Sequence, residues 1–184
     1  ESYDMETIFL VSLPGQPGIG NSPGAGDNAV AVGRDSLSVI GINDDNSDYG
    51  QGIKIAVIDS GIQEHETFNG KQIKEYDFVT DSNGNSLPTD PDNGHGTAVA
   101  SIIGGADARN PGIAPASELL SFRVLDNDGY TDSYTLAEAI VAATDAGADI
   151  INVSLGSKGD SGLVRRAVDY SISQGALIVA ATGN

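Results

Sequence analysis

The sequence contains no cysteine and no tryptophan, a single methionine, and only 9 Lys+Arg against 26 Asp+Glu. Without cysteine there is no disulfide framework and no thiolate-held metal. A net charge of −17 leaves no basic footprint for the phosphates of a nucleic acid or for an anionic membrane surface. No apolar run approaches the roughly 18 residues of a membrane-spanning helix. Residues 1–6 are acidic and polar, which is not the pattern of a secretory signal. No repeat of fixed period is evident. The acidic side is itself uneven, with 19 Asp, 7 Glu and only 4 Lys. That balance suits solubility at high salt, cation-binding loops or simply an acidic secreted protein, and an extracellular location is the expectation.

What is present is a regular alternation. Ile53–Ile58, apolar apart from Lys54, is a run of strand length, as for a strand buried on both faces. Weaker strand character covers 73–79, and further strands are expected over 119–125, 150–155 and 177–181. Helices are expected over 97–103, 134–146 and 163–173. The first would stop at Gly104-Gly105, and the others would have Gly147 and Gly175 just past their ends. Strands alternating with helices imply an α/β fold, three-layered around a mostly parallel sheet. In such sheets the site forms outside the carboxyl ends of the strands. The first 33 residues differ: 8–11 has strand character, and Pro14, Gly15, Pro17, Gly18, Gly20, Pro23, Gly24 and Gly26 then break any regular element. They read as a propeptide remnant or linker, with residues 34–184 forming the folded part.

Two residues stand where this architecture puts chemistry. Asp59 directly follows the strand 53–58. Alone it reads first as a turn-capping carboxylate, and a phospho-acceptor or a ribose ligand is the other role such a position takes in α/β folds. His95 is one of only two histidines and opens an apolar helix within Asn93-Gly94-His95-Gly96-Thr97. Its flanking glycines permit close backbone approach and leave the imidazole accessible. An imidazole held by a buried carboxylate is the basic half of a nucleophilic triad. His65, between Glu64 and Glu66, reads as a solvated loop histidine.

Asp59-Ser60-Gly61-Ile62 followed by Asn93-Gly94-His95-Gly96-Thr97 resembles the subtilisin-like serine proteases. The remaining motifs follow in that family's order: Gly112-Ile113-Ala114-Pro115, Asn152-Val153-Ser154-Leu155-Gly156 and Ala180-Ala181-Thr182-Gly183-Asn184. The resemblance runs from about Gly50 to Asn184. It implies a subtilisin-like fold, incomplete at its C-terminal side. It implies that Asp59 orients and charge-balances His95, that His95 acts as general base and then general acid, and that Asn184 donates its side-chain amide to the oxyanion. Ser154, Leu155 and Gly156 would line the pocket for the residue before the scissile bond. Gly129, Tyr130 and Thr131 would offer an edge to an extended polypeptide substrate.

Several features depart from the pattern. The family's triad order is Asp, His, Ser, with the nucleophile in Gly-Thr-Ser-Met-Ala beyond the oxyanion Asn. The only Gly-Thr here is Gly96-Thr97, followed by Ala98. The implied enzyme is therefore a serine endopeptidase whose nucleophile comes from a companion chain or segment; the alternative is an inactive protease-like module that binds peptides. A receiver or nucleotide-binding domain is the third reading, and the Gly-rich stretch 18–26 lacks the strand and helix that a dinucleotide fingerprint needs. Gly159-Asp160-Ser161-Gly162 copies a trypsin-like nucleophile motif but precedes a helix, where Asp160 or Ser161 serves as a cap. No cofactor is needed for the chemistry. The resemblance allows a structural calcium, yet Asp81, Asn83, Asn85 and Asp92 miss the EF-hand pattern, with Ser86 in place of its Gly and Asp92 in place of its Glu. A plain acidic loop is the favoured reading there. Residues 22–33 are similar to the stretch that follows the family's oxyanion Asn, but out of order.

Overall fold

The structure, a computed structural model, describes residues 7–10, 37–38, 40–81, 83–87, 94–157 and 159–181. Eight strands and three α-helices are described: β1 (Thr7–Leu10), β2 (Lys54–Asp59), β3 (Lys74–Asp77), α1 (His95–Gly104), β4 (Glu118–Arg123), β5 (Tyr130–Asp132), α2 (Ser133–Asp145), β6 (Ile150–Val153), β7 (Leu155–Ser157), α3 (Gly162–Ser173) and β8 (Leu177–Ala180). A 3₁₀ turn, Glu66–Phe68, lies between β2 and β3.

Five strands form one sheet in the order β3-β4-β2-β6-β8, and every pairing in it is parallel. The period-2 alternation of β2 divides the core. Ala56 and Ile58 belong to a cluster with Leu120, Phe122, Leu136, Ile140 and Ala167, against α2 and α3. Ile55 and Val57 face the opposite way, into a cluster with Phe68, Ala100 and Leu119, against α1 and the 3₁₀ turn. Helices thus cover both faces, which is why Ile55–Ile58 of β2 had to be apolar on both sides. The fold is the expected three-layer α/β arrangement.

Capping explains the helix boundaries. Asp132 accepts hydrogen bonds from the amides of Tyr134 and Thr135 at the start of α2, and Ser161 caps α3 through Val164 N–H. Gly147 and Gly175 follow α2 and α3 with φ of +79° and +92°. The Gly104-Gly105 stop has another cause. At Gly104 a Cβ would crowd Ser117 and Leu119, and at Gly105 it would lie 2.7 Å from Ser101 O. Close packing, rather than a left-handed turn, selects glycine at this pair.

Two expectations shift. The strand foreseen over 150–155 breaks at Ser154: β6 stays in the parallel sheet, while β7 joins a second, antiparallel sheet of order β5-β1-β7. The N-terminal strand is Thr7–Leu10, and it lies at the centre of that second sheet. The Pro/Gly-rich remainder of 1–33 lies outside the described residues. At the far side of the parallel sheet β8 pairs with β6 alone among the described strands, leaving Leu177 59% and Val179 48% exposed. No helix among the described residues is long and apolar enough to cross a membrane.

Candidate active site

The carboxyl ends of β2, β4 and β6 lie side by side, with Asp59 opposite Arg123 and Ile58 opposite Val153. Asp59 ends β2 and is completely buried. His95 begins α1, and its Nδ1 lies 2.9 Å from both carboxylate oxygens of Asp59. The His95 side chain remains 18% exposed. A carboxylate only accepts hydrogen bonds, so Nδ1 must carry the proton, which leaves the Nε2 lone pair of the neutral ring as the base. The hydrogen bond to Asp59 raises the His95 pKa above its ordinary 6.5; burial opposes this, and the carboxylate's charge adds to the rise.

The loop after β2 fixes this pair. Ser60 N–H donates to Asp59 Oδ1 (2.7 Å). The buried Ser60 hydroxyl in turn accepts from Gly96 N–H (3.1 Å). That bond satisfies a first-turn amide of α1 that its N-cap, Gly94, has no side chain to reach. Gln63 N–H donates to the Thr97 hydroxyl. Gly96 is needed for the approach: a Cβ there would strike the Gly61 carbonyl and lie 3.1 Å from Asp59 Cβ. Gly94 meets nothing within 4 Å, so of the two glycines flanking His95 only Gly96 is dictated by contact. In the sequence, the one signal of this Ser60 role is a small hydroxyl right after the carboxylate.

The substrate candidates occupy the second sheet. Gly129 sits in a turn with φ +81°, closed by hydrogen bonds of Asp128 N–H and Tyr130 N–H to Asp126. Tyr130 and Thr131 form β5. Ser154 bridges β6 and β7, its hydroxyl accepting from Asn152 Nδ2, and Leu155 and Gly156 lie in β7. The Leu155 side chain belongs to the main core cluster, so this residue offers a substrate only its backbone. The edge expected at Gly129–Thr131 is taken in part, because β5 and β7 each pair with β1. Asn184 lies outside the described residues.

The remaining candidates resolve as structure. His65 Nδ1 accepts from Thr67 N–H and caps the 3₁₀ turn. Asp160 pairs with Arg165 and Ser161 is a helix cap, so the Gly-Asp-Ser-Gly tetrapeptide has no catalytic setting. Asp81 accepts N–H groups of Asn83 and Asn85 and the Asn85 side chain, and these bonds lower its pKa. Asp92 is outside the described residues, and among the described ones no cluster of three or more acidic or histidine side chains could hold a metal. Arg123, foreseen only as part of an apolar strand, is buried. It bridges Asp77 of β3, the Leu87 carbonyl and Asn127 of the loop before β5.

The model of the Subtilase family matches residues 50–184. This chain belongs to the subtilase family. Thermitase of Thermoactinomyces vulgaris is 41% identical over 140 residues, covering 73% of this subtilase and 48% of that protein. Minor extracellular protease Epr of Bacillus subtilis is 39% identical, with 73% and 20% covered. Among solved structures, Sphericase superposes with a TM-score of 0.63 at 36% identity, and the S41 psychrophilic protease with 0.61 at 37%. Each superposition covers 74% of this chain and 47% of the other. The subtilase described here thus spans about half the length of Thermitase and of both solved structures. Its matched region contains both Asp59 and His95.

Proposed function

We propose that this subtilase is the N-terminal portion of a serine endopeptidase, in which Asp59 and His95 supply the carboxylate and the base of an Asp-His-Ser triad. The serine would come from a segment or companion chain outside these 184 residues. The observation that carries this reading is the buried carboxylate of Asp59 on His95 Nδ1, which turns a lone pair at Nε2 toward proton abstraction. As the serine attacks a peptide carbonyl, Nε2 takes its proton, and the imidazolium that forms is stabilised by Asp59. Nε2 then returns that proton to the leaving amine. Asn184 would hydrogen-bond the oxyanion. An extended polypeptide would lie along Gly129–Thr131 and Ser154–Gly156, and the enzyme would act outside the cell. Residues 34–184 belong to this unit: Leu37 is buried, and Asn46 is tied to the carbonyls of Gly112 and Ile113. The span of about half a relative and the exposed outer strand β8 support a larger assembled domain.

The test is to isolate the assembly from its natural source, search for a polypeptide carrying Gly-Thr-Ser, and label with a serine-directed fluorophosphonate. Labelling of that partner together with peptide hydrolysis is the expected result. Failure of both overturns the activity.

A further inference from the structure

α1 begins after Gly94, which has no side chain to cap the first-turn amides of the helix. Two bonds with the loop after β2 take over. The Ser60 hydroxyl accepts from Gly96 N–H (3.1 Å), and the Thr97 hydroxyl accepts from Gln63 N–H (2.9 Å). The exchange is reciprocal. Each segment gives one hydroxyl to an amide of the other, which is the logic of a capping box spread over partners 36 and 34 residues apart. The loop itself is anchored. Ser60 N–H donates to Asp59 Oδ1 (2.7 Å), and Ile62 N–H donates to Ser121 Oγ of β4 (3.1 Å). Gly96 seats directly against Gly61, where a Cβ would strike the carbonyl. His95 immediately precedes both clasped positions, and its Nδ1 sits 2.9 Å from each Asp59 oxygen. Such central placement demands a helix start that neither slides nor turns.

We propose that Ser60 and Thr97 are positioning residues: their hydroxyls clasp α1 to the loop after β2 and so hold the His95 ring centred on the Asp59 carboxylate. The proposal rests on the reading of His95 as the base and names what keeps that base in register. The next anchor of α1 in the core is Ala100, more than a turn beyond His95. A helix rises about 1.5 Å per residue, so His95 stands roughly 7.5 Å from that pivot. A tilt of about 5° there would move His95 by roughly 0.7 Å, enough to carry its bond past the ~3.2 Å limit of an N–H···O hydrogen bond. One hydroxyl resists the tilt at a single point; two resist rotation as well. The charged side chain on the ring is Asp59. Its hydrogen bond leads the rise in the His95 pKa, so that pKa reports how well the clasp holds.

The experiment titrates both histidines of the ¹⁵N-labelled 184-residue chain by NMR, in the parent, Ser60→Ala, Thr97→Val and the double variant. In each single variant the His95 midpoint is expected to fall toward 6.5 and the Nδ1 proton signal to weaken, with the double variant lower than either. Amide exchange should quicken about tenfold, the measure of one hydrogen bond, at Gly96 in Ser60→Ala and at Gln63 in Thr97→Val. Thr97→Ser keeps a hydroxyl and should restore the parent midpoint. His65, outside the clasp, should titrate unchanged throughout. Urea unfolding is run alongside. An unmoved His95 titration, with or without a lower urea midpoint, makes the two hydroxyls fold elements and overturns the proposal. So does a His65 midpoint that moves with that of His95, or a Thr97→Ser chain that behaves as Thr97→Val. Thr97 is only partly buried, so its variants carry the test if Ser60→Ala fails to fold. None of these readouts needs bond cleavage. A negative fluorophosphonate result beside the expected titration therefore removes the protease reading and leaves the clasp standing.

Discussion

The two histidines lie on either side of β3 and end in opposite chemical states. His65 and His95 both lie beyond β2, and each opens a helical turn. Each engages a neighbour through Nδ1. At His65 the neighbour is the Thr67 amide, a donor, so Nδ1 must hold the lone pair. At His95 it is the Asp59 carboxylate, an acceptor, so Nδ1 must hold the proton. The partner alone decides which nitrogen is basic. His65 is exposed, and its ring is spent on backbone geometry. His95 is half-buried on a carboxylate that is 0% exposed, and its second nitrogen is the one left for proton transfer. A histidine's sequence neighbours do not distinguish these states; the donor or acceptor that the fold presents to it does.

The strongest way to break this contrast is to remove the carboxylate or the ring. If the proposed assembled protease is correct, His95→Ala is expected to lower its kcat by about 10⁶ and Asp59→Asn by about 10⁴. The first magnitude is that of removing the triad histidine from subtilisin, a relative; the second is that of the Asp-to-Asn exchange in another triad protease. Within the 184-residue chain, ¹⁵N chemical shifts should show the His95 proton on Nδ1 in the parent and a lowered pKa in Asp59→Asn. A His95 tautomer indifferent to that substitution contradicts the role given to Asp59. The corresponding His65→Ala change should leave kcat within twofold.

Gly96→Ala attacks the scaffold instead of the chemistry. The added methyl would meet the Gly61 carbonyl and the Asp59 side chain. Neither can move without shifting the end of β2 or the start of α1. Overpacking of this kind costs about 1–3 kcal/mol, and urea unfolding should place it at the upper end. The hydrogen bond to His95 should loosen in parallel. Gly94→Ala, with nothing within 4 Å, is the matched control and should cost far less.

How much of this was legible follows from distance along the chain. The apolar run ending at Asp59 and the glycine-flanked His95 are local patterns, and the parallel sheet follows from alternation in period. Asp59 on His95 needed the fold, yet both positions announced themselves. Ser60 was hidden because its role is a single hydroxyl reaching Gly96. Arg123 was hidden inside an apolar strand because its partners, Asp77, Leu87 and Asn127, come from three separate segments. β1 was the hardest to read. Four residues carry little signal of their own, and their partners lie at 130–132 and 155–157, so nothing near Thr7 in sequence records the sheet they join. The break at Ser154 has the same origin: Val153 and Leu155 look like one apolar strand until each is assigned to its own sheet.

Acidity offers a gentler probe of the same contrast. The Asp59 bond raises the His95 pKa above 6.5, so the fold favours the imidazolium. That stabilisation is fully present below pH 6.5 and is lost as the pH rises through the raised value. Catalysis runs the other way, because only the neutral ring accepts a proton. The stability difference between parent and His95→Gln should therefore shrink toward alkaline pH, while kcat/KM of the proposed assembled enzyme climbs over the same interval. A kcat/KM profile whose limb lies below 6.5 contradicts the upward shift that Asp59 gives His95.

The smallest effect belongs to His65. Its ring accepts one amide hydrogen bond at the head of a three-residue turn, and that turn positions Phe68 in the core cluster that also holds Ala100 of α1. Replacing a capping acceptor by alanine costs about 0.5–2 kcal/mol in a regular helix. This turn is short and exposed at its start, so His65→Ala should cost about 0.5 kcal/mol by urea denaturation. His65→Asn keeps an acceptor within reach of Thr67 and should recover most of the loss, whereas Asn in place of His95 recovers no activity. That pair of outcomes separates a ring used for its hydrogen-bond shape from a ring used for its proton. If His65→Ala instead lowered kcat as much as Asp59→Asn, the division of labour between the two histidines would collapse.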